Sequence, residues 1–176
     1  MLATAQDQAA VDRLVLVDAV GPTSDWLSRL HSAAIDRLDG EQKAALEMLN
    51  PTDLHADDID RHAEYTSALY PAWFADRDFG KIFSSPRANS STGAAVAARL
   101  RRDGYDWTSR IAEIKVPALI LHGEEDILGL DVPRVLSSLI EGSTTEIIPH
   151  AGHMPFWEAP EEFFALAEEF LSAGRV

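Results

Sequence analysis

Two almost wholly apolar runs constrain this chain more than any other feature. They are Leu14-Val15-Leu16-Val17 and Val116-Pro117-Ala118-Leu119-Ile120-Leu121. A strand without polar alternation is buried on both faces, as parallel strands covered by helices are. Asp18-Ala19-Val20-Gly21-Pro22 ends the first run and His122-Gly123 the second, since Gly and Pro punctuate the backbone. Thr144 to Ile148 reads as a third strand. Val132 to Ile140 is amphipathic and helical, and Pro160 to Leu171 is a terminal helix with Pro160 at its first position. Strand, crossover helix, strand, helix is the grammar of an α/β fold with a parallel sheet.

Between about Thr23 and Ser109 the texture is helices and loops with no clear strand. Trp26, Leu27, Leu30, Ala34 and Leu38 define one helical apolar face, which Gly40 is expected to break. Further helices are expected over Glu41 to Leu49, Asp53 to Leu69 and Gly93 to Arg102, with a polar loop from Phe83 to Ser91. The domain organisation predicted is thus residues 1–22 and 105–176 as one α/β core and 23–104 as a helical insertion. Residues 2–10 are helical in composition, without a capping residue ahead of them, and look like the last turns of a longer helix.

The charge narrows the partners. Fifteen basic and 29 acidic residues leave a net charge of −14, which repels phosphate backbones and anionic lipid. Nucleic acid and membrane are therefore not expected as partners. With no cysteine, disulfides, thiolate metal sites and a cysteine nucleophile are excluded. No basic leader and no apolar run of about 20 residues is visible, so a cytoplasmic protein is expected.

The chemistry-bearing residues stand just past two of the strands, where open α/β sheets place their sites. Asp126 follows Leu121-His122-Gly123-Glu124-Glu125, and His153 lies in Pro149-His150-Ala151-Gly152-His153-Met154-Pro155. A carboxylate followed by a histidine is the acid and base part of a Ser-His-Asp hydrolase in the order Ser, Asp, His. Taken singly, Asp126 could form only an Asx-turn, and His153 could bond only backbone. No Gly-x-Ser-x-Gly occurs in the chain. Ser90, Ser91 and Ser109 lack a strand, turn and helix around them, so no nucleophile is assigned.

Three strings carry a family resemblance: Leu14 to Asp18, Val116 to Asp126, and Gly152-His153-Met154-Pro155-Phe156-Trp157-Glu158-Ala159-Pro160-Glu161. In this order they resemble the C-terminal part of an α/β-hydrolase fold protein, closest to proline iminopeptidases and related esterases. The resemblance implies Asp126 as triad acid, His153 as general base, and a helical cap over residues 23–104. It implies Leu128, Met154 and Trp73 as substrate-binding positions, no cofactor and no metal. It also implies that the serine and the oxyanion donors belong to a segment ahead of residue 1. On that basis the chain hydrolyses an ester, amide or peptide bond only when complemented. An N-terminal half of the fold, or self-association through the exposed edge of Leu14–Val17, would be the partner, and a small molecule the substrate.

Other residues are weaker. His55, Asp58 and His62 could share a helical face, but a solvated acidic face explains them better than a metal-dependent hydrolase. Asp60 or Glu64 could receive a substrate ammonium, and Trp26, Tyr70, Trp73, Phe74 and Phe79 could line a pocket or simply form a core. His122 suits packing behind the site, and His150 a loop. The alternative to a hydrolase is a non-catalytic binding module, or an inactive remnant, of the same fold.

Overall fold

The computed structural model describes residues 1–49, 59–84 and 91–173. A short helix α1 (Leu2–Gln6) and a 3-10 turn lead into a parallel sheet ordered β1 (Leu14–Val17), β2 (Ala118–Gly123), β3 (Thr144–Ile148). β2 lies in the middle, with Leu14 opposite Ala118 on one side and Gly123 opposite Ile148 on the other. It starts two residues later than its apolar run does. Pro117 has no N–H to give a ladder, and serves it only through a carbonyl that accepts from Leu14 N at 2.9 Å.

All of β2 is buried, and its side chains alternate between two cores. Ala118 and Ile120 join Leu16, Ile111, Leu136 and Ile140 on one face. Leu119 and Leu121 join Ile148 and Phe163 on the other, where Val15, Val17 and Phe170 pack alongside. Among the described residues β1 has β2 as its single strand neighbour.

The helical region between β1 and β2 has its own small core of Ala34, Leu38, Leu46 and Ala72. It contains α2 (Trp26–Arg37), α3 (Gly40–Met48), α4 (Ile59–Leu69), α5 (Arg77–Gly80) and α6 (Ser91–Asp103). Gly40 does not break a helix; it opens one. Asp39 Oδ1 accepts from Gln42 N at 2.8 Å, and Gln42 Oε1 accepts from Asp39 N at 2.9 Å. This capping box sets the start of α3, so the break falls at Leu38 and Asp39. The expected helix from Asp53 is seen from Ile59 onward, residues 53–58 lying outside the described residues along with most of the loop from Phe83.

α7 (Thr108–Ile111) leads into β2, α8 (Asp131–Leu139) crosses from β2 to β3, and α9 (Pro155–Glu158) and α10 (Pro160–Ser172) follow β3. The turn α9 is an element the sequence pattern does not announce. Among the described residues no helix is long and apolar enough to cross a membrane.

Candidate active site

The loop after β2 is pinned by continuing the β2–β3 pairing past the strand ends. Glu124 N donates to Ile148 O and Glu125 N to Ala151 O, each at 2.9 Å. This carries the loop after β3 alongside the loop after β2. Gly123 permits the approach: a Cβ there would lie 2.0 Å from the Gly152 carbonyl oxygen and 2.4 Å from that of Ala151.

Asp126 divides its two oxygens between two jobs. Oδ1 accepts from Leu128 N at 2.9 Å, the Asx-turn that a loop aspartate makes for itself. Oδ2 stands 2.9 Å from His153 Nδ1. Burial pushes the Asp126 pKa up, but the hydrogen bond and charge of His153 and the Leu128 amide outweigh it. The net shift is below the ordinary carboxylate value, so Asp126 is an anion and can only accept. His153 Nδ1 therefore carries the hydrogen. Among the described residues Nε2 has no hydrogen-bond partner, and the imidazole side chain is 22% exposed. A buried carboxylate thus fixes one imidazole nitrogen as donor, and the other is left without a partner among the described residues.

Two buried groups behind this pair complete the site, and one of them, Asp18, escapes sequence reasoning. Asp18 follows β1 with φ 39°, in the left-handed region that aspartate tolerates better than most residues. Its Oδ1 accepts from Gly123 N at 2.9 Å, while the buried Oδ2 has no hydrogen-bond partner among the described residues. Burial raises its pKa to about 8; the Gly123 amide opposes this, and the neighbouring Asp126 charge adds to it. His122, also buried, has Nδ1 3.5 Å from Asp18 Oδ1 and Nε2 3.6 Å from Asp126 Oδ2. Burial lowers its pKa, so it is neutral. At neutral pH, Asp126 thus holds the negative charge of this buried trio. The signal for Asp18 was a polar residue ending an apolar run, but only the adjacency of β1 and β2 brings it to Asp126.

Asp18, His122 and Asp126 present ligand-type atoms within 4.8 Å of one another. A metal there would draw on the same Asp126 carboxylate that holds His153. Of the other metal candidates, His55 and Asp58 lie outside the described residues, as does the side chain of His62.

The remaining positions scatter. The Trp73 ring sits 4.7 Å from the His153 ring, tilted by 56°. Met154 precedes α9 and is half-buried. Leu128 is buried in the core of the α8 face and lines a cavity of about 210 Å³ with Trp26 and Ile127. Asp60 and Glu64 line a separate cavity of about 630 Å³ in the helical region, with Ala45, Met48 and Leu49. Phe74 and Phe79 meet edge to face with centroids 5.6 Å apart. His150 is exposed in its loop, Ser109 is exposed on α7, Ser91 opens α6, and Ser90 lies outside the described residues.

A parallel sheet flanked by helices, with a buried carboxylate bonded to an imidazole beyond its strand ends, defines an α/β protein whose polar cluster lies where open α/β sheets place their sites. The chain belongs to the alpha/beta hydrolase family, whose model matches residues 1–166. It is 26% identical over 140 residues to the proline iminopeptidase of Clostridioides difficile (strain 630), covering 76% of this chain and 48% of that protein. It is 25% identical over 170 residues to the proline iminopeptidase of Lactobacillus helveticus (strain DPC 4571), covering 92% of this chain and 57% of the relative. The chain thus spans about half the length of these curated relatives. The crystal structure of a Mycobacterium smegmatis proline iminopeptidase superposes with a TM-score of 0.60 at 16% identity, covering 96% of this chain and 59% of that one. That likeness concerns the fold.

Proposed function

We propose that Asp126 and His153 are the acid and base of a Ser-His-Asp hydrolase that cleaves an ester, amide or peptide bond in the manner of a proline iminopeptidase. The observation that carries this is the 2.9 Å bond between His153 Nδ1 and the buried, ionised Asp126. His153 Nε2 takes the proton of an attacking hydroxyl and returns it to the leaving group, while Asp126 stabilises the imidazolium formed between. Among the described residues no hydroxyl bonds Nε2, and the 176 residues hold no Gly-x-Ser-x-Gly. The nucleophile in this reading comes from a complementing segment seated along β1, and the chain alone turns over little. Residues 23–104 act as the cap over the site, with Trp73 on its inner side.

The test is hydrolysis of p-nitrophenyl acetate and proline β-naphthylamide. The pure chain is assayed alone and together with a Gly-x-Ser-x-Gly-bearing segment encoded beside it. Turnover should appear on complementation and fall by about 10³-fold or more in His153→Ala. Turnover that survives His153→Ala, or none in any complemented sample, would overturn the proposal in favour of a non-catalytic module.

A further inference from the structure

Glu158 ends the turn α9, five residues after His153, and is half-buried. Its carboxylate accepts from three backbone amides. Oε2 takes Gly152 N at 2.7 Å; Oε1 takes Ala75 N at 2.7 Å and Asp76 N at 3.1 Å. None of these amides belongs to a helix or a strand ladder. Gly152 is the residue before the base, and Ala75 and Asp76 belong to the stretch Trp73–Asp76 of the helical region. That stretch also takes the amide of His153 itself, which donates to Trp73 O at 2.7 Å. The two backbones are in direct contact: a Cβ on Gly152 would sit 2.4 Å from Trp73 O and 2.8 Å from Ala75 N. From the other side, Arg37 Nη2 donates to Phe74 O at 3.2 Å, and the same guanidinium bonds the carbonyl of Glu125, next to Asp126. The strap Trp73–Asp76 therefore touches the loop of the base and, through Arg37, the loop of the acid.

We infer that Glu158 is a positioning residue for His153, tying the loop of the base to the strap Trp73–Asp76 so that the imidazole is held against Asp126. An anion suits this place, because both its oxygens only accept and it can satisfy three donors at once. Glutamine presents one oxygen and turns an N–H₂ toward amides that need an acceptor. Burial holds the Glu158 pKa above its ordinary value, and the three amides and the charge of Arg37 oppose the rise. The consequence for catalysis rests on the hydrolase reading above; the positioning does not.

The test uses the intact ¹⁵N-labelled chain and three readouts: hydrogen exchange of the His153 amide, the Nδ1–H resonance of His153, and exchange of Leu121 in β2. In Glu158→Gln the His153 amide should exchange at least about tenfold faster and the Nδ1–H signal should broaden, with Leu121 unchanged. Glu158→Asp, an anion on a shorter arm, should restore part of both. Wild-type His153 signals in a folded Glu158→Gln chain would overturn the inference. So would loss of Leu121 protection in both variants, which would make Glu158 a residue of global stability. A wild-type chain that shows amide protection but no Nδ1–H signal would count against the acid–base pair instead, leaving the strap in place. In a complemented, active sample Glu158→Gln should lower kcat and leave KM nearly unchanged.

Discussion

β2 and the strap Trp73–Asp76 both end at the candidate site, and opposite forces hold them. β2 is buried on both faces, paired on both edges and apolar up to His122. The strap buries Phe74, but its register is set by polar bonds from Glu158, Arg37 and the His153 amide, in places partly open to water. The acid's position is thus a consequence of the sheet, stabilised by the same apolar burial that stabilises the fold. The loop of His153 has buried neighbours too, Ala151 and Pro155, and adds to them a few hydrogen bonds to the strap, each contributing about 1 kcal/mol net. A fold can vary the second without endangering the first, which suits a framework that hosts many chemistries.

Four substitutions test this contrast, in order of decreasing effect. Leu121→Ala removes a fully buried side chain from β2 and should destabilise the chain by about 4 kcal/mol in urea titration. A loss below about 1 kcal/mol would erase the distinction between sheet and strap. Gly152→Ala drives a Cβ into the strap and should cost about 2 kcal/mol, with faster exchange at His153 and unchanged exchange in β2. Equal loss of protection in both would show that the two regions open as one.

Asp18→Asn probes the sheet side by pH. The folded pKa of Asp18 is about 8 against an ordinary 3.8, so the folded state keeps a proton that the unfolded chain releases between those values. Wild-type stability from this group is therefore fullest below pH 4 and is lost as pH rises toward and through 8. Asparagine copies the protonated form and keeps the acceptor for Gly123 N. The variant's melting temperature should match wild type near pH 4 and exceed it near pH 9, a gain on the order of 1–2 kcal/mol once relaxation around a buried charge is allowed for. A gap that stays constant with pH would contradict a proton on Asp18. Asp39→Ala, which removes the capping box of α3, should cost about 1 kcal/mol, visible as faster exchange in α3 and not in β2.

β2 was legible in the sequence because full burial writes an apolar run and His122-Gly123 ends it. β1 shows a like run though only Leu16 in it is fully buried, and β3, Thr144 to Ile148, is mostly exposed or half-buried. Asp126 and His153 stood out as candidates because each lies in the turn a few residues past a strand end, and the structure brings their side chains to 2.9 Å. The support around them was hidden. Asp18 meets Asp126 only through strand order, Glu158 meets Ala75 across 83 residues of sequence, and the Asp39–Gln42 box was masked by the glycine beside it. Leu128, which the resemblance implies as a substrate position, packs its side chain in the α8-side core, lines a cavity of about 210 Å³ and gives its amide to Asp126.

The most direct test of the acid–base pair is the tautomer of His153, read from its imidazole ¹⁵N shifts in wild type and in Asp126→Asn. An ionised Asp126 requires the neutral ring to carry its hydrogen on Nδ1 and leave Nε2 as the base. Asparagine can offer an N–H to Nδ1 and so move the hydrogen to Nε2. The account predicts Nδ1–H in wild type and Nε2–H in the variant. Nε2–H in both would contradict it.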